Sequence, residues 1–158
     1  MNDIRIGFGY DLHKLIKGKS ITLAGVKIES NYSVSAHSDG DIVLHALSDA
    51  IYGAIADGDI GTHFPSNDQN LDISSKKILA HACNRLTKFG YSLGNIDITV
   101  VLEVPRLQKL ILQMRENISS LTSLNIDRIS IKSSTSQGVG LIGNNQAIAC
   151  YSSILIKK

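Results

Sequence analysis

The sequence predicts a single α+β domain in which helices cover a mixed β-sheet, and three observations carry that expectation. Strand-like and helix-like segments follow in the order β, β-hairpin, α, α, β, α, β, β, which suits a sheet layered against helices. The strand segments are dense in Ile and Val, and the helical segments carry apolar stripes of helical period. A chain of 158 residues that is 43% hydrophobic and 19% charged has the size and composition of one core. No linker, low-complexity tract or internal repeat divides it, so a single domain is expected over residues 1–158.

The elements follow in order. Ile4 to Leu15 reads as a strand, and Ile21–Ala24 with Val26–Ile28 as a hairpin around Gly25. Asp39 and Asp41 open a helical run to about Ala56, with acidic residues suiting the first turn. Its apolar stripe is Ile42, Val43, Ala46, Leu47, Ala50, Ile51 and Ala54, while Asp41, His45 and Asp49 share another face. Asp57 to Leu71 reads as a loop. Ser74 and Ser75 are expected to cap a second helix, with Ile78, Leu79, Ala82, Cys83 and Leu86 inward and Gly90 at its C-terminal stop. Ile96 to Val104 is rich enough in β-branched residues to predict a strand buried on both faces, closed by Pro105. Leu107, Leu110, Ile111, Met114, Ile118 and Leu121 mark a third helix. Arg128–Ser134 is a strand, Thr135–Asn145 a glycine-rich loop and Gln146–Ile156 the last strand.

Composition excludes several classes. A formal net charge of +2 gives no argument for a nucleic-acid or membrane-surface partner. No apolar run approaches a membrane span, and the first residues enter a strand pattern at once, so a cytoplasmic location is expected. Cys83 and Cys150 fall on apolar faces and read as reduced core thiols. His63 and His81 have no partner visible in sequence and read as solvated or structural.

The chemistry begins with Asp11 and His13. Residues two apart on a strand point the same way. With His45 they form a carboxylate and two imidazoles, a set that Zn²⁺ accepts and that leaves a fourth position open. The same set serves non-haem iron, although the strand rhythm of the common oxygenase scaffold is missing. Asp49, one turn beyond His45, either orients a ligand or is a solvated helix charge. His37 and Ser38, just ahead of the helix, suit a phosphate or an N-cap. The four hydroxyls Ser133-Ser134-Thr135-Ser136 can cradle phosphate oxygens, as turn chemistry also explains.

The runs Gly7-Phe8-Gly9-Tyr10-Asp11-Leu12-His13, Ala36-His37-Ser38-Asp39-Gly40-Asp41 through Ala50, Gly58-Asp59-Ile60-Gly61-Thr62-His63-Phe64-Pro65, Gly90 through Asp97 and Gly143 through Cys150 resemble the 2-C-methyl-D-erythritol 2,4-cyclodiphosphate synthase family. The resemblance spans nearly the whole chain in order. It implies a homotrimer with sheets facing inward and active sites between subunits. It also implies a cyclising phosphorus–oxygen lyase acting on 4-diphosphocytidyl-2-C-methyl-D-erythritol 2-phosphate, with CMP as leaving group.

By that resemblance Zn²⁺ sits on Asp11, His13 and His45, and Mg²⁺ or Mn²⁺ travels with the substrate phosphates. His37 and Thr135 become catalytic. Ser38, Asp59, Gly61, Phe64, Ser66 and Asp68 face the phosphates and the polyol. Arg106 and Leu107 frame a cytidine pocket, and Ser133, Ser134 and Thr135 bind substrate through its phosphate oxygens. Ser66 stands where the family usually has Asp, and Gln137 where it usually has a metal-binding Glu. Leu141 and Asn144 replace its usual Phe and Arg. Two other readings stay open: a different zinc or iron enzyme using the same three ligands, and a trimeric module that binds CDP without turnover.

Overall fold

The structure is a computed structural model that describes residues 3–36, 39–65 and 73–158. It is a mixed α+β domain. Seven strands, five α-helices and one 3-10 turn are described: β1 (Ile4–Lys17), β2 (Ser20–Leu23), β3 (Val26–Glu29), β4 (Tyr32–Ser35), α1 (Ile42–Ala54), the single turn α2 (Ile60–His63), α3 (Ser75–Lys88), β5 (Ser92–Val101), α4 (Ile111–Thr122), the 3-10 turn Ile126–Arg128, β6 (Ile129–Ser134), the single turn α5 (Gly140–Gly143) and β7 (Ala147–Lys157). The five-stranded sheet runs β4-β1-β7-β5-β6, and β2 with β3 forms a separate hairpin. Among the described residues the β5–β6 pair alone is parallel. One row of the register passes Asp11–Cys150–Val100–Ser133, from β1 through β7 and β5 to β6.

Alternation along β1 decides where the site can form. Gly7, Gly9, Asp11, His13 and Leu15 share the face turned to α1, while Ile6, Phe8, Tyr10 and Leu12 point away and are exposed. At Gly7 a Cβ would lie 1.9 Å from the Ala50 carbonyl oxygen, and at Gly9 1.9 Å from that of Ala46. The absence of side chains there lets α1 press directly on β1. Leu44, Leu47 and Ile51 are at most 1% exposed on that helix, each contributing about 1.5–3 kcal/mol of burial. The expected apolar stripe is therefore part of a helix buried almost all round.

Asp41 is the N-cap of α1, just ahead of the first turn in which acidic residues were expected. Its carboxylate accepts from the Val43 and Leu44 amides, both at 3.2 Å, and from Ala24 and Gly25 at 2.9 and 2.6 Å. One buried carboxylate thus caps the helix and clamps the hairpin turn, where Ala24 and Gly25 both take positive φ.

Other expectations change. β4 is an unpredicted four-residue edge strand paired with the end of β1. β5 starts at Ser92, stops at Val101 and alternates, with Ile96, Ile98 and Val100 buried and Asn95 and Asp97 exposed, so it is not buried on both faces. α4 begins at Ile111, leaving buried Leu107 in the preceding turn. α2 interrupts the expected loop after Asp57, and α5 the glycine-rich loop after Thr135. Gly90 does follow the α3 cap with φ +79. Ser74 makes no side-chain cap, and the Ser75 hydroxyl turns elsewhere.

Candidate functional site

Asp11 and His13 meet His45 where β1 passes over the first turn of α1. The Asp11 Oδ2 lies 3.0 Å from His13 Nε2 and 3.0 Å from His45 Nδ1, and the two nitrogens are 3.4 Å apart. A tetrahedral Zn²⁺ with ligands at about 2.0–2.1 Å has ligand–ligand edges of about 3.3–3.4 Å. The three atoms therefore stand close to one triangular face of such a site, with no fourth His, Cys, Asp or Glu ligand atom grouped with them among the described residues. Burial raises the Asp11 carboxyl, but hydrogen bonds and charge from His13 and His45 prevail and hold it at about 2. The group is a carboxylate with two imidazole donors, which fits a divalent transition metal.

Asp49 does not touch a ligand through any described hydrogen bond. Its Oδ1 accepts from the Ile60 amide at 2.8 Å and so ties α1 to α2. Burial, first among its influences, raises its carboxyl, and the Ile60 bond opposes this. Asp59 caps α2, accepting from the Thr62 amide and hydroxyl at 2.8 and 2.7 Å. Gly61 is exposed and Phe64 half-buried on the same turn. His37, Ser38, Ser66 and Asp68 lie outside the described residues.

His63 and His81 have partners that the sequence did not disclose. The His63 ring stacks on Tyr52 with centroids 4.4 Å apart, and its Nε2 lies 2.8 Å from the Asp57 carbonyl oxygen. The Tyr52 hydroxyl lies 2.8 Å from His81 Nδ1. Arg85 closes the group with two hydrogen bonds to Asp57, 2.6 and 2.8 Å. The cluster fixes the loop that carries Asp59 and Phe64.

A second region forms at the far end of the sheet. A cavity of about 370 Å³ is lined by Glu103, Pro105, Arg106, Leu107, Ser133, Ser134 and Thr135, among others. The strand end and the hydroxyl run, read separately in the sequence, thus line one cavity. Leu107 is fully buried and forms a wall, whereas Arg106 and the three hydroxyl residues are exposed. Glu103, missed in the sequence, accepts from the Ser136 amide at 2.8 Å and braces this loop. Gln137 has φ +55 and donates from Nε2 to the Thr135 hydroxyl at 3.1 Å. Leu141 lines a different cavity with Leu12, Leu15 and Gln146, and Asn144 ends α5 as an exposed residue. Neither lines the cavity at Ser133–Thr135.

The YgbB family model matches residues 4–157. The chain belongs to the YgbB family. Among its relatives is the 2-C-methyl-D-erythritol 2,4-cyclodiphosphate synthase of Pseudoalteromonas atlantica, 41% identical over 157 residues that make up 99% of this chain and 97% of the relative. That of Acinetobacter baylyi is 44% identical, over 97% of this chain and 94% of the relative. Among solved structures, the CDP complex of IspF from Plasmodium falciparum superposes with a TM-score of 0.87 at 40% identity, covering 99% of this chain and 97% of that one. The bifunctional IspDF of Campylobacter jejuni gives a TM-score of 0.95 at 35% identity; the match covers 99% of this chain and 43% of the bifunctional one. This YgbB-family chain thus shares its architecture with a CDP-bound relative over nearly its full length.

Proposed function

We infer that this chain is a 2-C-methyl-D-erythritol 2,4-cyclodiphosphate synthase, a lyase of isoprenoid precursor synthesis by the non-mevalonate route. One observation carries the reading: an Asp–His–His corner and a nucleotide-sized cavity stand on one fold that matches a CDP-bound relative at 40% identity. The substrate's own 2-phosphate attacks the β-phosphorus, the bond to CMP breaks, and the cyclic diphosphate forms without consuming water. The whole chain acts as one catalytic domain, in the cytoplasm. No described helix is long and apolar enough to cross a membrane.

Asp11, His13 and His45 are the residues that would hold Zn²⁺, which supplies Lewis acidity toward a phosphate oxygen when bound. Arg106 contributes positive charge, and Ser133, Ser134 and Thr135 donate hydrogen bonds to phosphate oxygens as charge develops. Leu107 and Pro105 wall the cytosine. Asp59 accepts from the polyol hydroxyls, with Gly61 and Phe64 shaping the approach. By the resemblance, His37 acts as a catalytic group and Ser38, Ser66 and Asp68 as substrate-binding groups, all four outside the described residues. Gln137 would offer an amide oxygen, in place of a carboxylate, to a Mg²⁺ or Mn²⁺ ion that would offset the charge of the substrate phosphates.

The active enzyme is a homotrimer whose sheets face inward. Two features support this. Ile6, Phe8, Tyr10 and Leu12, with Tyr151 beside them, leave a continuous apolar sheet face exposed, Ile6 at 75%. Asp11 and Ser133 also lie three strand spacings apart in one row, about 14 Å, with Cys150 and Val100, both 0% exposed, filled in between. This packing between the two regions supports a site whose metal corner and cytidine cavity are drawn from neighbouring copies.

Two inactive variants, His45→Ala and Ser134→Trp, test the arrangement. Refolded together, they should form mixed trimers with intact sites and regain CMP release; activity that stays absent although mixed trimers form would overturn the shared site. CMP release from the diphosphocytidyl substrate tests the activity itself, and CDP binding without turnover would overturn it.

A further inference from the structure

The first residue of α3, Ser75, is 0% exposed although it is polar, and α3 supplies none of the three side chains Asp11, His13 and His45. Its hydroxyl oxygen lies 2.8 Å from His45 Nε2, the ring nitrogen on the side opposite Asp11. The same hydroxyl makes a short hydrogen bond to Asp39 Oδ1, and the Ser75 amide donates to Asp39 Oδ2 at 2.9 Å. The Asp41 amide also faces Asp39 Oδ1, at 3.4 Å.

We propose that Ser75 and Asp39 are positioning residues of the metal centre, forming a relay that fixes which nitrogen of His45 faces Asp11 and His13. The direction of the protons carries this. Every group facing Asp39 in these contacts is an N–H or O–H, so its carboxylate accepts. A serine hydroxyl has one proton, and Ser75 spends it on Asp39. Its lone pair then accepts from His45, which must carry its proton on Nε2. That leaves the Nδ1 lone pair directed at the metal corner. Ligating histidines are held in this way by a hydrogen bond at the other nitrogen; here the holder is a serine from a third element, itself locked by an aspartate ahead of α1.

The inference rests on the reading of Asp11, His13 and His45 as metal ligands. Asp39→Asn tests it sharply because it keeps the shape and reverses the protons. The asparagine carbonyl must accept the Ser75 amide, which turns its NH₂ toward the Ser75 hydroxyl. That hydroxyl then donates to His45 Nε2 and favours a proton on Nδ1, where the metal should bind. Ser75→Ala instead leaves the His45 N–H without its acceptor.

Zinc affinity of the full chain is measured by competition with a chromophoric chelator. The imidazole N–H of His45 is followed by NMR in the zinc-loaded protein, and thermal unfolding of the metal-free forms reports the fold. Both variants should bind zinc at least about tenfold more weakly, and the parent should show an exchange-protected His45 Nε2–H that Ser75→Ala loses. Affinities within twofold of the parent would overturn the relay while leaving the metal reading intact; failure of the parent to bind zinc would overturn that reading instead. If a variant does not fold, the parent spectrum decides, because rapid exchange of the His45 N–H contradicts the relay.

Discussion

At the β1 end of the sheet, Asp11, His13 and His45 come from a strand and a helix in direct contact, and all three are at least half withdrawn from solvent. At the β6 end, Ser133, Ser134, Thr135 and Arg106 stand exposed around an open cavity, and their loop is braced through backbone amides by Glu103. The first region is assembled by packing: Gly7 and Gly9 set the helix height, and Asp41 sets its start. The second is assembled by a loop that holds itself together: Ser134 Oγ donates to the Thr135 carbonyl at 3.2 Å and the Thr135 hydroxyl accepts from Gln137 Nε2 at 3.1 Å. Substitution in the first should therefore disturb geometry and metal together, while substitution in the second should disturb ligand binding and leave stability alone.

The largest expected effect is at His45. His45→Ala should reduce bound zinc from one per chain to near zero and lower CMP release by about 10³-fold, the loss of several kcal/mol of charge stabilisation. Elemental analysis and a steady-state assay check this, and zinc retained near one per chain would remove the ligand assignment. Next is Gly9→Ala. The new methyl would sit 1.9 Å from the Ala46 carbonyl oxygen, so α1 must move, at a cost of about 1–3 kcal/mol. Thermal unfolding should fall and zinc binding weaken together. Ser134→Ala, by contrast, should leave the unfolding temperature nearly unchanged; equal losses in both would erase the difference between the regions.

A smaller effect belongs to the cavity. CMP and CDP should raise the unfolding temperature, by up to about 2.7 kcal/mol of stabilisation at a hundredfold excess over Kd, and adenine or guanine nucleotides should do far less. Equal shifts would mean that phosphate alone is bound there.

The smallest lies at His81, which faces Tyr52, His63, Phe64, Arg85 and Asp57, with Lys88 on its own helix. Burial, then the charges of His63 and Arg85, lower its pKa below 6.5. The folded state thus binds this proton less readily than the unfolded chain, and its contribution is present above pH 6.5 and lost as pH falls below it. His81→Phe should flatten the acid-side loss of stability in denaturant titrations at several pH values; an unchanged slope would assign that loss to other groups.

The readable parts of the sequence were those whose logic is local. Alternation along Ile4–Leu15 placed Asp11 and His13 on one face, and the stripe from Ile42 to Ala54 placed α1. Two-residue spacing on a strand is geometry that no tertiary contact has to supply. What escaped depends on distant partners. The Ser75 hydroxyl reads as a helix cap until Asp39, 36 positions earlier, is found beside it. Tyr52 and His81 meet across 29 positions, and Asp49 reaches Ile60 across 11. β4 is four residues, Tyr32–Ser35, half of them serine, and exists because the end of β1 offers an unpaired edge. The density of β-branched residues in β5 concealed that Asn95 and Asp97 face outward. For the cavity, the strand end at Pro105–Leu107 and the hydroxyl run were each legible, but Glu103 beneath the loop was not.

The most direct test of the assigned reaction is where the oxygen atoms go. The zinc- and magnesium-loaded enzyme is given 4-diphosphocytidyl-2-C-methyl-D-erythritol 2-phosphate in ¹⁸O-labelled water, and the products are read by ³¹P NMR and mass spectrometry. Cyclisation predicts CMP and a cyclic diphosphate in equal amounts, neither carrying ¹⁸O. CMP released with a linear, ¹⁸O-labelled product would show that water is the nucleophile and would contradict the account.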